Sequence, residues 1–199
     1  MHRPRSTRDP CVRQQRKQML HLPHMIKLTE FAADLRNRGL GVVPDFDPLD
    51  GGVGAQILFL FEKPGPMTAE ARGGLGFISR NNDDPTAEAT FNFMAQAGIP
   101  RKLTVIWNVV PWWNDTRKVT GAELAAGVAC VRELMAHLPS LASVVMVGTR
   151  AARARPFLES TGLVLFRSPH PSPLVRTGAR EKWNSIPGEW SKAMSVVAH

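Results

Sequence analysis

LVLFRSPHPSPL, residues 163–174, changes character at its midpoint. The first half is a nearly continuous apolar run, as in a strand covered on both faces of a parallel sheet. The second half sets one histidine between two prolines. Each proline fixes its own φ at about −65° and pushes the residue before it out of the helical region. A strand ending in such a stiff extended turn holds His170 at a fixed place beyond its carboxyl end.

Three more runs of the same kind lie upstream: QILFLF (56–61), LTVIWN (103–108) and SVVMVG (143–148). Helical stretches fill the gaps. DPTAEATFNFMAQAG (84–98) has Asp84 as N-cap, Pro85 at the first helical position and Gly98 as terminator. TGAELAAGVACVRELMAHL (120–138) has amphipathic spacing, TRAARARPFLEST (149–161) reads as a third helix, and a last one starts at about Arg180. This alternation predicts an α/β fold, a three-layer α/β/α sandwich with a central four-stranded parallel sheet. Residues 25–199 read as one domain without an internal repeat.

Composition narrows the function classes. The longest strongly apolar run, ILFLF, is far short of the roughly 20 residues a membrane span needs. Cys11 and Cys130 lie 119 positions apart with no secretory apolar segment, so neither a disulfide framework nor a Cys-rich metal site is supported. No metal and no cofactor is expected, and a monomer in a reducing, nucleoid-containing cytoplasm fits. The formal charge of +8 is concentrated at the two ends: residues 1–24 carry net +5, residues 25–149 net −2 and residues 150–199 net +5. Residues 1–24 lack apolar periodicity and read as a disordered basic tail or an upstream leader. In the C-terminal third, Arg150, Arg153, Arg155, Arg167, Arg176, Arg180 and Lys182 bracket the histidine turn, as a rim for a phosphate backbone would.

In open parallel sheets a ligand binds off the carboxyl ends of the strands. Here those ends are FEKPGPMT (61–68), NVVPWW (108–113), GTRAARA (148–154) and SPHPSPL (168–174). With these segments the chain resembles the uracil-DNA glycosylase superfamily. FEKPG is similar to the family's G-E-x-P-G first motif, with Phe61 in place of the leading glycine. GLGFIS (74–79) is similar to its G-L-x-F-S segment, VIWN (105–108) to its strand-end asparagine, and HPSPL (170–174) matches its last motif letter for letter. The resemblance covers about residues 55–183.

The resemblance implies an enzyme that flips a base out of DNA, single- or double-stranded, and hydrolyses its N-glycosidic bond. A lyase step would need an amine nucleophile, and Lys63 is the only lysine near the motifs, so a monofunctional enzyme is expected, with a Schiff base on Lys63 as the alternative. Phe77 would stack on the flipped base, Asn108 would read its amide-like edge, and Pro64 and Gly65 would line the pocket. His170 would donate a hydrogen bond to the uracil O2 as charge gathers there. Leu174 would fill the space the base leaves, with Ser168, Ser172 and Arg176 contacting phosphates.

Two departures from the family matter. Lys63 stands where related first motifs carry the group that positions water, and a charged lysine cannot accept a hydrogen bond. Glu62, Asn82 and Asp83 are the remaining candidates. Gly65 stands where G-Q-D-P-Y-H members place a tyrosine against the C5 edge, which implies a wider pocket open to other deaminated or 5-substituted bases, unless Trp112, Trp113 or Met67 fills it. The alternative reading is a covalent or non-catalytic binder of uracil-containing or abasic DNA. A nucleotide-binding domain without a DNA role is disfavoured, because no glycine-rich phosphate loop follows the first strand.

Overall fold

The computed structural model describes residues 2–68 and 75–197. Four strands form one all-parallel sheet in the order β4-β2-β5-β6: β2 (Ile57–Phe61), β4 (Thr104–Asn108), β5 (Ser143–Val147) and β6 (Val164–Ser168). Each matches a predicted run to within a residue. Two further strands, β1 (Asp45–Phe46) and β3 (Phe77–Ile78), pair in parallel as a separate two-residue ribbon. They are too short to leave a periodic signal.

Period-two alternation sorts the sheet's two faces. Trp107 and Leu60 are register partners, and Trp107 stacks on Phe46 at 3.7 Å between centroids and 11° between planes. Phe46 in turn meets Phe31 of α2 (Ile26–Asn37), which also contacts His137 at the end of α4 (Gly121–Ala136). Phe59 lies on the other face. It packs edge-on against Trp190 of α7 (Arg180–Ser191), with Phe93 of α3 (Pro85–Gln96) beside it. Helices therefore cover both faces of the sheet, as the three-layer expectation required.

Local chemistry explains the helix starts. Asp84 accepts from Ala87 N and Pro85 follows it, so α3 begins where the sequence places it. Thr120 and Glu123 close a capping box on α4. The stretch 149–161 is a short α5 (Arg155–Leu158) flanked by 3-10 turns, not one regular helix. Pro156, which sits in its first turn, limits how far a helix can run through it. Ser172 caps α6 (Pro173–Gly178), which begins directly after the histidine turn.

The expected disordered tail over residues 1–24 needs correction. Residues Pro10–Met19 form α1, capped by Asp9, and Arg16 on it is fully buried against Asp47 at 2.6 Å. An ion pair, not an apolar stripe, anchors this helix, so hydrophobic periodicity could not reveal it. Asp47 also pairs with Arg101, which reaches Asp50, and Asp50 pairs with Arg80. Burial alone would raise the Asp47 pKa, but Arg101 and Arg16 outweigh it and hold the carboxyl below its usual range. This buried chain of charges ties α1 to the loop before β2 and to the segment after β3.

Among the described residues no helix is long and apolar enough to cross a membrane.

Candidate active site

The four strand ends converge on one cavity of about 710 Å³. β2 contributes Phe61 and the turn through Glu62, Lys63, Pro64 and Gly65; β4 contributes Asn108; β5 leads to Gly148, Thr149 and Arg150; β6 leads to His170, Ser172 and Leu174. Ile78, Arg80, Asn82 and Asp84, between β3 and α3, form the facing wall.

Asn108 is the last residue of β4, in register with Phe61. It is 3% exposed, and its Nδ2 has no hydrogen-bond partner among the described residues. An unsatisfied buried donor costs about 1–3 kcal/mol, so natural folds seldom keep one without a use. Here the strand holds it in the wall of a cavity.

His170 is held from several sides. Its ring meets Phe61 edge-on, 5.5 Å between centroids at 89°. Gly148 lies directly behind it, with φ at 91°, and a Cβ there would crowd His170 Cβ and Cδ2 at 3.2 and 3.3 Å. Ser172 N donates to His170 O at 2.9 Å, and Gly148 N donates to Ser168 O at 2.7 Å. Burial, and then the nearby charge of Arg150, lower the imidazole pKa from 6.5 to about 4. At neutral pH the ring is therefore uncharged and carries one N–H donor.

The water-positioning candidates separate by location. Glu62 lines the cavity and pairs with the largely exposed Arg150 at 3.3 Å. Asn82 also lines it, with Nδ2 donating to Phe77 O at 2.8 Å and Oδ1 accepting from Thr7 Oγ1 at 3.2 Å. Asp83 does not belong to the lining: its carboxylate turns to Arg5 at 3.3 Å and Arg8 at 3.8 Å. Those cations sit in the segment read as disordered, so their pull on Asp83 was invisible in the sequence.

Two further expectations are corrected. Phe77 is fully buried outside the cavity, with the Lys17 ammonium 5.1 Å from its ring centroid; Ile78 lines the cavity in its place. Neighbouring residues of a strand face opposite ways, so only one of the two can reach the site. Ser168 is also buried. Its Oγ accepts from Trp190 Nε1 at 2.7 Å and donates to Pro169 O at 2.8 Å, which fastens the histidine turn to α7 and leaves no hydroxyl for a phosphate.

Leu174 is 80% exposed at the cavity rim. Ser172 lines the cavity and caps α6. Arg176 is exposed, with its guanidinium 5.8 Å from the Trp183 ring. A Cβ built on Gly65 would find only the Arg117 guanidinium, at 4.0 Å, so the pocket is open there. Trp112 and Trp113 are buried and not part of the lining, while the Met67 side chain and Gly74 lie outside the described residues. The Lys63 side chain is 3% exposed, and its ammonium is bound to Glu123 at 2.9 Å and Asn114 Oδ1 at 2.6 Å.

Arg80 and Arg117 are lining residues that the sequence reading missed. The available signal for Arg80 was a charged residue directly after the apolar GLGFIS segment. Among the described residues no cluster of three or more His, Cys, Asp or Glu is placed to hold a metal ion.

An unpaired amide donor, a neutral imidazole donor and an exposed leucine at the carboxyl end of one sheet suit a flat group rich in hydrogen-bond acceptors. The family model described as the uracil DNA glycosylase superfamily matches residues 49–186, and the chain belongs to that superfamily of DNA glycosylases. A solution NMR structure from Methanosarcina acetivorans, described as a candidate uracil DNA glycosylase, is similar at 15% identity and a TM-score of 0.46, over 73% of this chain and 94% of that one. No curated protein sequence matches the chain.

Proposed function

We propose that the protein excises uracil from DNA by hydrolysis, as a monofunctional glycosylase that initiates base excision repair. What supports this reading most is the Asn108 Nδ2, buried in the cavity wall without a partner among the described residues. A uracil edge offers O4 to that donor and its N3–H to Oδ1. Cytosine would oppose an amino donor to Nδ2, leaving both unsatisfied, which is the kind of mismatch that discriminates strongly.

The base must first leave the helix. Leu174, exposed and free of core contacts, supports a role in filling the vacated stack, and Ser172 at the cavity and the exposed Arg176 are the candidates to meet the flanking phosphates. As the C1′–N1 bond breaks, its electron pair moves onto the base, and charge gathers on O2. The neutral His170 donates to that oxygen, held in place so that little reorganisation is needed. Water then supplies the hydroxyl at C1′, and its remaining proton passes to a carboxylate or to solvent. Glu62 and Asn82 are the lining residues suited to orient that water.

A lyase step would need a free amine. Lys63, the lysine nearest the motifs, has its ammonium tied to Glu123 and Asn114, which supports hydrolysis alone. The open space at Gly65 supports admission of 5-substituted uracils and other deaminated bases.

Substitution Asn108→Ala tests the reading. Losing a donor and an acceptor that meet the base costs about 1–3 kcal/mol each, so uracil excision should fall at least roughly tenfold. Near-full activity in the variant would remove Asn108, and with it the carrying observation, from the site.

A further inference from the structure

The segment before α2 runs behind the cavity wall and bonds it at successive points. Arg3 O accepts from Asn81 Nδ2 at 2.6 Å, Arg5 pairs with Asp83 and Glu88, and Thr7 N donates to Asn81 O at 3.2 Å. Buried Arg16 reaches Ser79 Oγ at 2.9 Å and Asn81 Oδ1 at 3.0 Å. These contacts fix residues 79–83 from the side away from the substrate.

Two members reach lining side chains: Arg16 meets Ser79, and Thr7 meets Asn82. Thr7 is fully buried, with Oγ1 3.0 Å from Asn81 O and 3.2 Å from Asn82 Oδ1. On its other side the Asn82 amide donates to Phe77 O. Flipping that amide would set Oδ1 against a carbonyl oxygen, two acceptors face to face, so its orientation is determined. Nδ2 is committed, and one lone pair of Oδ1 shares the single Thr7 hydroxyl proton with Asn81 O. Among the described residues no other group donates to Oδ1, and Asn82 belongs to the cavity lining, so the second lone pair is left as an acceptor.

We propose that Thr7 is a positioning residue that fixes Asn82 so that Oδ1 accepts a hydrogen bond from the attacking water; this rests on the excision reading above. Thr7 does not touch the substrate. It acts through Asn82, from a segment that carries none of the family motifs. An acceptor held at one orientation keeps the water on the line of attack, and small misplacements of such groups are costly.

The test uses the full chain as wild type, Thr7→Val, Thr7→Ser, Asn82→Ala and the Thr7→Val/Asn82→Ala double variant. Two quantities are read: the single-turnover rate on a uracil-containing oligonucleotide, and solvent exchange of the Asn82 side-chain amide by NMR. Thr7→Val should slow excision roughly 10- to 100-fold at unchanged oligonucleotide affinity and speed the amide exchange. Thr7→Ser should restore both, and Thr7→Val should cost nothing further in the Asn82→Ala background. Fully additive losses, or unchanged amide exchange in Thr7→Val, overturn the proposal. If Thr7→Val does not fold, Thr7→Ser against Thr7→Ala reads the hydroxyl in its place. A wild type that excises nothing overturns the functional reading and the water's part in this one, while the exchange measurement still decides whether Thr7 holds Asn82.

Discussion

Gly148 lies so close behind His170 that a side chain at the glycine would press the histidine aside by a few tenths of an ångström. A Cβ on Gly148 would stand 3.2 Å from His170 Cβ and 3.3 Å from its Cδ2. Gly148 also has φ at 91°, where an L side chain is strained whatever the space. This glycine follows β5, while the histidine follows β6, so two neighbouring strands jointly set the ring's place.

Gly148→Ala should therefore displace His170 while leaving the cavity's polar groups intact. We expect a destabilisation of about 1–3 kcal/mol from the backbone strain, together with a loss of excision rate larger than that of the surface variants. Thermal unfolding and single-turnover rates check both. A variant with wild-type rate would show that the ring needs no such support.

Leu174→Ala separates DNA distortion from chemistry. With its side chain 80% exposed, Leu174 buries little, and its loss should leave the melting temperature nearly unchanged. Excision from duplex should fall roughly tenfold, whereas excision from single strands, which have no stack to refill, should stay near wild type. Equal losses on both substrates would refute the wedge role.

Deleting residues 1–24 should unfold or severely destabilise the protein. Arg16 and Asp47 are both fully buried, and removing one partner of such a pair costs about 3–5 kcal/mol. The bonds from residues 3, 5 and 7 to the cavity wall go with it. Denaturant unfolding of the truncated chain checks this, and a stability equal to that of the full chain would contradict it.

The sheet and most of the site were legible because parallel strands carry continuous apolar runs, and because prolines and helix caps act locally. His170, Asn108, Glu62 and Leu174 lie at strand ends or just beyond them, where a motif's position in sequence is its position in space. Other features were not legible, for physical reasons. α1 is anchored by Arg16, and a charge buried by pairing looks like a solvated charge in a sequence. Phe77 and Ile78 share a two-residue strand, so a motif that names the segment does not say which neighbour faces the cavity. Ser168 resembles a phosphate contact until Trp190, 22 positions away, is seen to bind its hydroxyl. Asp83 was drawn off by arginines whose segment seemed unstructured.

The most direct measurement compares wild type and His170→Ala on one uracil-containing strand across pH 5.5–9, followed by alkali and a denaturing gel. With a folded-state pKa of about 4, His170 is already neutral throughout that range, so its titration should put no inflection near 6.5 in the wild-type rate. The same depression makes the unfolded chain bind the extra proton between about 6.5 and 4, so stability from this group is present above that window and is lost as pH falls through it. Wild type should yield an alkali-cleaved strand, and His170→Ala should do so about 10²–10³ times more slowly at unchanged DNA affinity. Equal rates for the two proteins, or a denaturation-resistant protein–DNA adduct in wild type that the substitution abolishes, would contradict hydrolytic excision assisted by a neutral His170.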